Sequence, residues 1–151
     1  MVDKLKKIWM DGVFVDWNDA KIHILTHTLH YGYGAFEGIR AYRRDDGRSA
    51  VFRLDEHLER LFNSCKLLEL KIPYRFDEIK KVCVDALKIN GLAEGYIRPL
   101  VYIGDGSIGV YPGDDPNVRC AVMTWVWGAY LGEDGIKKGI RIKISTYTKF
   151  H

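Results

Sequence analysis

Very little in this chain is in excess, and what is scarce excludes several classes of protein. The three cysteines, Cys65, Cys83 and Cys120, are an odd number without metal-like spacing, and buried, reduced thiols are the expectation. The 23 basic and 20 acidic residues leave a formal charge of only +3, and no basic run or stripe accompanies it, which argues against a nucleic-acid partner. The densest basic cluster, Lys4, Lys6 and Lys7, flanks a strand-like segment as a solvated terminus. No apolar run approaches bilayer length. Residues 1–7 lack the apolar stretch of a secretory signal. Internal repeats and low-complexity segments are also missing. These absences point to a cytoplasmic protein that binds neither membrane nor nucleic acid.

With 151 residues, 47% of them hydrophobic and 28% charged, the chain is long enough to bury a core. Residues 8–10 and 13–17 bracket Asp11-Gly12, a hairpin with a favoured two-residue turn. Residues 35–43 and 50–53 bracket Asp45-Asp46-Gly47, a second hairpin. A helix follows with Asp55 as its N-cap and an apolar stripe of Leu58, Leu61, Phe62, Cys65 and Leu68. Ile72-Pro73 separates it from another helix that starts at Asp77, carries Ile79, Val82, Cys83, Ala86 and Leu87, and stops at Asn90-Gly91. Residues 96–103 form a strand that Pro99 pushes toward an edge or an irregular position. Residues 104–116 form a loop, 120–127 a strand, 128–135 a linker and 140–146 a final strand with little of its own to pack on. Strands, two consecutive helices and strands again predict an α+β domain rather than βαβ units.

The chemically richest stretch is residues 27–42, with three glycines, four aromatics, two histidines and an arginine. From Phe36 onward it alternates. Phe36, Gly38, Arg40 and Tyr42 share one strand face; Glu37, Ile39 and Ala41 share the other. The first face suits the wall of a pocket for an anionic, partly apolar small molecule, and Gly38 marks a close approach. Gly32, Gly34 and Gly38 lack the spacing and following helix of a dinucleotide fingerprint. His23, His27 and His30 would share a helix face, but β-branched neighbours and Tyr31-Gly32 oppose a helix, so a metal site is not expected. Arg60 points away from its helix's apolar stripe, and the pattern alone makes it a solvated arginine. Tyr96 and Arg98 share a strand face. Packing is the ordinary fate of the aromatics Tyr31, Trp127 and Tyr130.

Four ordered segments together resemble the branched-chain amino acid aminotransferases, pyridoxal phosphate (PLP) enzymes of fold type IV. They are residues 27–42, Phe52-Arg53-Leu54-Asp55-Glu56-His57-Leu58-Glu59-Arg60-Leu61, Tyr96-Ile97-Arg98-Pro99-Leu100, and Trp127-Gly128-Ala129-Tyr130-Leu131-Gly132. The resemblance implies the small N-terminal domain of the D-amino acid aminotransferase-like fold, an antiparallel sheet with two helices, over residues 1–124. An interdomain loop over 125–136 and the start of a large cofactor-binding domain over 137–151 would follow. It implies that Arg60 holds the PLP phosphate, by charged bidentate hydrogen bonds. It implies that Phe36, Tyr96, Trp127 and Tyr130 shape the substrate pocket, that Gly38 leaves room and that Arg40 organises the wall. Arg98 would receive the side-chain carboxylate of glutamate, and Tyr31 and Val110 would serve the site of a partner subunit in a homodimer or larger homo-oligomer.

The Schiff-base lysine of that family lies about nine residues past His151, and Lys149 precedes its position. The 151-residue chain is therefore expected to be inactive alone and, with an exposed interdomain face, to self-associate. The activity implied for the whole product is amino-group transfer between L-leucine, L-isoleucine or L-valine and 2-oxoglutarate. A D-amino acid aminotransferase, an aminodeoxychorismate lyase of the same fold, and a non-catalytic binding or assembly domain are the alternatives.

Overall fold

The structure, a computed structural model, describes residues 4–128 and 132–148. The chain opens with β1 (Lys7–Met10) and β2 (Val13–Asp16), paired antiparallel from Lys7↔Asp16 to Met10↔Val13. Asp11 and Gly12 both have positive φ, 46° and 99°, as a tight two-residue hairpin turn requires. A single-turn helix α1 (His27–Tyr31) comes next and is closed by Gly32 in the left-handed region. The β-branched run before it does not prevent this turn, because only five residues need helical angles.

Strands β3 (Gly34–Phe36), β4 (Ile39–Arg43) and β5 (Ser49–Val51) lead into helices α2 (Leu54–Leu67) and α3 (Phe76–Ile89). The two longest strands follow, β6 (Gly95–Ile103) and β7 (Val118–Trp125), and then a short helix α4 (Gly132–Lys138). Among the described residues the sheet has seven strands in the order β2-β1-β7-β6-β4-β5, with β3 also on β6, and every pairing is antiparallel. Helices α2 and α3 cover one face. This is the expected α+β architecture.

Sequence reasoning misplaced several details. The strand with Pro99 is not at an edge: β6 pairs with β3, β4 and β7. Its pairing with β3 (Phe36↔Leu100) and with β4 (Ile39↔Ile97) keeps one register, so residues 34–43 are one extended segment. The ladder breaks between them because Pro99 has no N–H to give back, although the Glu37 amide still donates to the Pro99 carbonyl at 3.1 Å. A central strand tolerates the proline at the loss of one bond. Helix α2 starts at Leu54 with Arg53 as its cap residue at φ 49°; Asp55 sits in the first turn and pairs with Lys80. Helix α3 starts at Phe76, and the Arg75 amide donates to the Glu78 carboxylate at 2.7 Å while the Glu78 amide donates to the Arg75 carbonyl at 3.1 Å. The linker read over 128–135 contains the start of α4. Residues 140–146 form no strand; Ile142 and Ile144 are exposed, and without a ladder partner a lone strand is not stable.

The core lies between the sheet and the two helices. Ile39, Ala41, Ile97, Val101 and Val122 meet Leu58, Leu61, Cys65, Ile79, Cys83 and Ala86, all buried. Asn90, the C-cap of α3, ties three elements together. Its Oδ1 accepts the Lys6 and Lys7 amides at 3.0 and 2.9 Å, and its Nδ2 donates to the Lys7 and Ala86 carbonyls and to Thr124 Oγ1 at 2.9, 3.0 and 3.0 Å.

Candidate functional site

The face of the sheet opposite the helices is where the alternation of residues 36–42 has its effect. Ile39 and Ala41 point into the core, so Phe36, Arg40 and Tyr42 point outward. The register continues this face across the sheet. Arg40 pairs with Tyr96, and Tyr96 and Arg98 pair with Trp125 and Met123. At the centre is the Arg98 guanidinium. Its Cζ lies 4.6 Å from the Phe36 ring centroid, 5.3 Å from Trp125 and 5.4 Å from Tyr96, within cation–π range of each. Its Nη2 donates to Tyr96 Oη at 3.1 Å, while the buried Nε has no acceptor among the described residues. Tyr96, Trp125 and Trp127 pack as a trio with centroids 4.4–5.7 Å apart. Arg40 Nη1 donates to the Trp127 carbonyl at 2.9 Å, which holds the chain after β7 against the wall.

Gly38 sits opposite Arg98 in this register, and its missing side chain is used by a protein group. A Cβ built there would overlap Tyr96 Oη and lie 2.8 Å from Cζ. The space that the sequence suggested for a ligand holds the Tyr96 phenol.

The other face of the same segment carries a charged cluster. Glu37, in line with Ile39 and Ala41, is buried. Arg60, on the outer side of α2, donates from Nε to Glu37 Oε1 at 2.5 Å and from Nη2 to Oε2 at 2.8 Å. His57 Nδ1, one turn earlier, is 2.9 Å from Oε2. Burial alone would raise the Glu37 pKa, but the hydrogen bonds from Arg60 and His57 and the Arg60 charge outweigh it and hold the carboxyl below its ordinary value. The same bond and charge raise that of Arg60. Arg60 also lines a cleft of about 200 Å³ with Arg53, Glu56 and His57, where Arg53 donates to Glu56 at 2.9 Å. Strand β5 pairs with Ala41–Arg43, so among the described residues the segment edge at 37–39 has no strand beyond it.

Tyr31 and Val110 lie elsewhere. Helix α1 is fixed to the end of β6 by the Ile103 amide, which donates to Thr28 Oγ1 at 2.8 Å. That end is seven residues from Tyr96, about 23 Å at strand rise. There Tyr31 Oη donates to the Ile108 carbonyl at 2.6 Å and His27 Nε2 to the Gly109 carbonyl at 2.9 Å, while Val110 is exposed. The structure thus brings together Phe36, Gly38, Arg40, Tyr96, Arg98 and Trp127, puts Arg60 on the helix side of the same segment, bonded to Glu37, and places Tyr31 and Val110 at the α1 end of β6. Tyr130 and Lys149 lie outside the described residues. His23 and His30 bond to nearby backbone in the loop around α1, and among the described residues no group of His, Cys, Asp and Glu is placed to hold a metal ion. No helix among them is long and apolar enough to cross a membrane.

Sequence reasoning missed Glu37, His57 and Trp125. The signal for Glu37 was available, since the alternation that turned Phe36 outward turned a carboxylate into the core, where it needs cationic partners.

Residues 34–149 match the family described as Amino-transferase class IV. The chain belongs to the class IV aminotransferases. A branched-chain-amino-acid aminotransferase of Pseudomonas aeruginosa is 43% identical over 151 residues, all of this chain and 48% of the relative. The crystal structure of the Escherichia coli branched-chain amino acid aminotransferase superposes with a TM-score of 0.84 at 39% identity, over 87% of this chain and 43% of that one. The branched-chain aminotransferase of the archaeon Thermoproteus uzoniensis, solved with norvaline, gives 0.78 at 38% identity, over 85% of this chain and 43% of that one. This class IV aminotransferase chain therefore spans about half the length of the relatives it matches.

Proposed function

We propose that this chain is the N-terminal portion of a branched-chain amino acid aminotransferase that moves an amino group between L-leucine, L-isoleucine or L-valine and 2-oxoglutarate. The observation that carries the reading is the Arg98 guanidinium held among the rings of Phe36, Tyr96 and Trp125. Such a site answers the demand of dual recognition. An aliphatic side chain engages ring faces, and the distal carboxylate of glutamate engages a guanidinium with a buried, unmatched Nε. Charged hydrogen bonds of that kind are the strong ones. The Thermoproteus uzoniensis relative, solved with the straight-chain aliphatic amino acid norvaline, supports the aliphatic half of that recognition.

The residues present fit a phosphate-bearing cofactor. Arg60 is two-thirds exposed and lines a cleft with Arg53 and His57, and the one carboxylate there, Glu56, is paired with Arg53; this is the donor chemistry that a phosphate takes. When bound, PLP would supply the electron sink at the substrate Cα. Arg60 would hold its phosphate. Phe36, Tyr96, Trp127 and Tyr130 would exclude water from the aliphatic side chain, Arg40 would fix the Trp127 segment, and Gly38 would let the Tyr96 phenol seat beside Arg98. Tyr31 and Val110 lie apart from that wall, at the α1 end of β6, where Tyr31 donates to the Ile108 carbonyl and Val110 is exposed. That separation supports a homodimer in which each serves the other subunit. Residues 1–124 would be the small domain, 125–136 the interdomain loop and 137–151 the start of the cofactor domain. The three free, buried thiols fit a reducing, cytoplasmic compartment.

The test uses the whole product that carries these residues. Loaded with PLP, it should lose the visible band of the bound cofactor with L-leucine and keep it with D-alanine. Response to D-alanine alone would move the protein to the D-amino acid relatives, and no cofactor band at all would leave a binding domain. The 151 residues alone should show no leucine and 2-oxoglutarate turnover.

A further inference from the structure

Glu37 is the most anomalous side chain in the core. It follows Phe36 into the layer of Ile39 and Ala41 and is only 5% exposed. Buried charge is costly, and an ion pair so placed is often no more stabilising than apolar residues of the same volume. Core stability is therefore a weak reason for a carboxylate here. Field strength is a worse one, because a negative charge directly behind Arg60 weakens the attraction of that arginine for an anion. What Glu37 does supply is orientation. Two hydrogen bonds, to Nε at 2.5 Å and to Nη2 at 2.8 Å, fix the plane of a guanidinium that is otherwise two-thirds exposed. Parallel N–H···O pairs of this kind fix geometry as well as charge. His57 Nδ1, 2.9 Å from Oε2, holds the carboxylate from a second side. The bonds to Glu37 use Nε and Nη2, and Arg60 lines the cleft beside them.

We propose that Glu37 is a positioning residue which, through Arg60, presets the guanidinium that receives the cofactor phosphate. This rests on the reading of Arg60 given above. It sets two effects of opposite sign against each other. If geometry dominates, neutralising Glu37 weakens the hold on phosphate. If net charge dominates, the same change tightens it.

The experiment measures Kd for PLP and for phosphate-free pyridoxal by equilibrium dialysis on the whole apo-product. The ratio of the two isolates the phosphate, because general damage to the site weakens both ligands alike. In E37Q the preference for PLP should fall about tenfold, the worth of one charge-assisted hydrogen bond, with pyridoxal affinity unchanged. In R60K, which keeps the charge but not the planar fork, the preference should fall as it does in R60Q. Adding E37Q to R60Q should change the ratio no further. An unchanged or increased preference in E37Q overturns the proposal, as does a preference retained in R60K. R60K keeps a cation beside Glu37, so a preference retained there overturns the proposal even where E37Q does not fold. A preference unchanged in R60Q would instead remove the phosphate assignment of Arg60, and the proposal with it.

Discussion

Gly38→Ala puts a single methyl group into the most crowded point of the aromatic face. Its Cβ would lie 1.9 Å from Tyr96 Oη and 2.8 Å from Cζ, against about 3.5–4.0 Å for ordinary carbon contact, so the phenol oxygen has to retreat by about 1.5 Å. The ring is not free to do so. It stacks on Trp125 and Trp127 with centroids at 4.7 and 4.4 Å and receives the Arg98 Nη2 hydrogen bond. Overpacking of this kind costs about 1–3 kcal/mol. Against it stands a gain of about 0.4–1 kcal/mol, because alanine restricts the unfolded chain and Gly38 does not use a positive φ. The expected result is a net loss of about 0.5–2 kcal/mol. The sign should reverse when the obstacle is removed, so that in a Tyr96→Ala background the same substitution is neutral or stabilising by up to about 1 kcal/mol. Urea unfolding of the four proteins of this cycle measures both values, and near-UV circular dichroism should report the disturbed Tyr96–Trp125–Trp127 trio in the single variant. Equal destabilisation in both backgrounds would refute the reasoning, as would a silent Gly38→Ala with an unchanged near-UV spectrum.

Three further outcomes are expected. Asn90→Ala strips partners from the Lys6 and Lys7 amides and from Thr124; it should cost about 2–4 kcal/mol in urea unfolding, and a loss under about 1 kcal/mol would show that water replaces the side chain. The Glu37 carboxyl is held below its ordinary 4.5 by Arg60 and His57 against the opposing effect of burial. A depressed folded pKa contributes stability that is present above the unfolded value and lost as pH falls through the folded one. The unfolding midpoint of the wild type should therefore approach that of Glu37→Gln as pH drops below 4.5, and parallel acid profiles would contradict the ion-pair assignment. Burial pushes the Cys65 thiol up to about 11 and those of Cys83 and Cys120 to about 12, so labelling by a disulfide reagent at neutral pH should track global unfolding. Rapid labelling of the native protein would show that the core opens locally.

Local patterns carried much of this architecture. The period-two alternation from Phe36 assigned both faces of the β3–β4 segment, and the helical stripes of α2 and α3 placed Leu58, Leu61, Cys65, Ile79, Cys83 and Ala86 in the core. What failed depends on neighbours distant in sequence. Pro99 argued against a central strand because its missing donor was weighed without a register, and the register puts that loss at the single Glu37 position. Arg60 looked solvated because its partner lies 23 residues away, on another element. Residues 140–146 alternate as a strand would, but no strand among the described residues pairs with them. Trp125 joined the site only through its pairing with Tyr96. Alternation predicts which way a side chain faces; only topology determines what it meets there.

The strand order also imposes a sequence in time. Outside its own hairpin, β1 pairs with β7 alone, Trp9 against Val122 and Met10 against Ala121. During synthesis at about 5–20 residues per second, the first hairpin leaves the ribosome some 5–20 s before its docking strand. Until then its inner edge is an unpaired row of donors and acceptors, open to other chains. Substitutions that slow the docking of β7 should therefore lower soluble yield in the cell as well as the stability of the folded molecule.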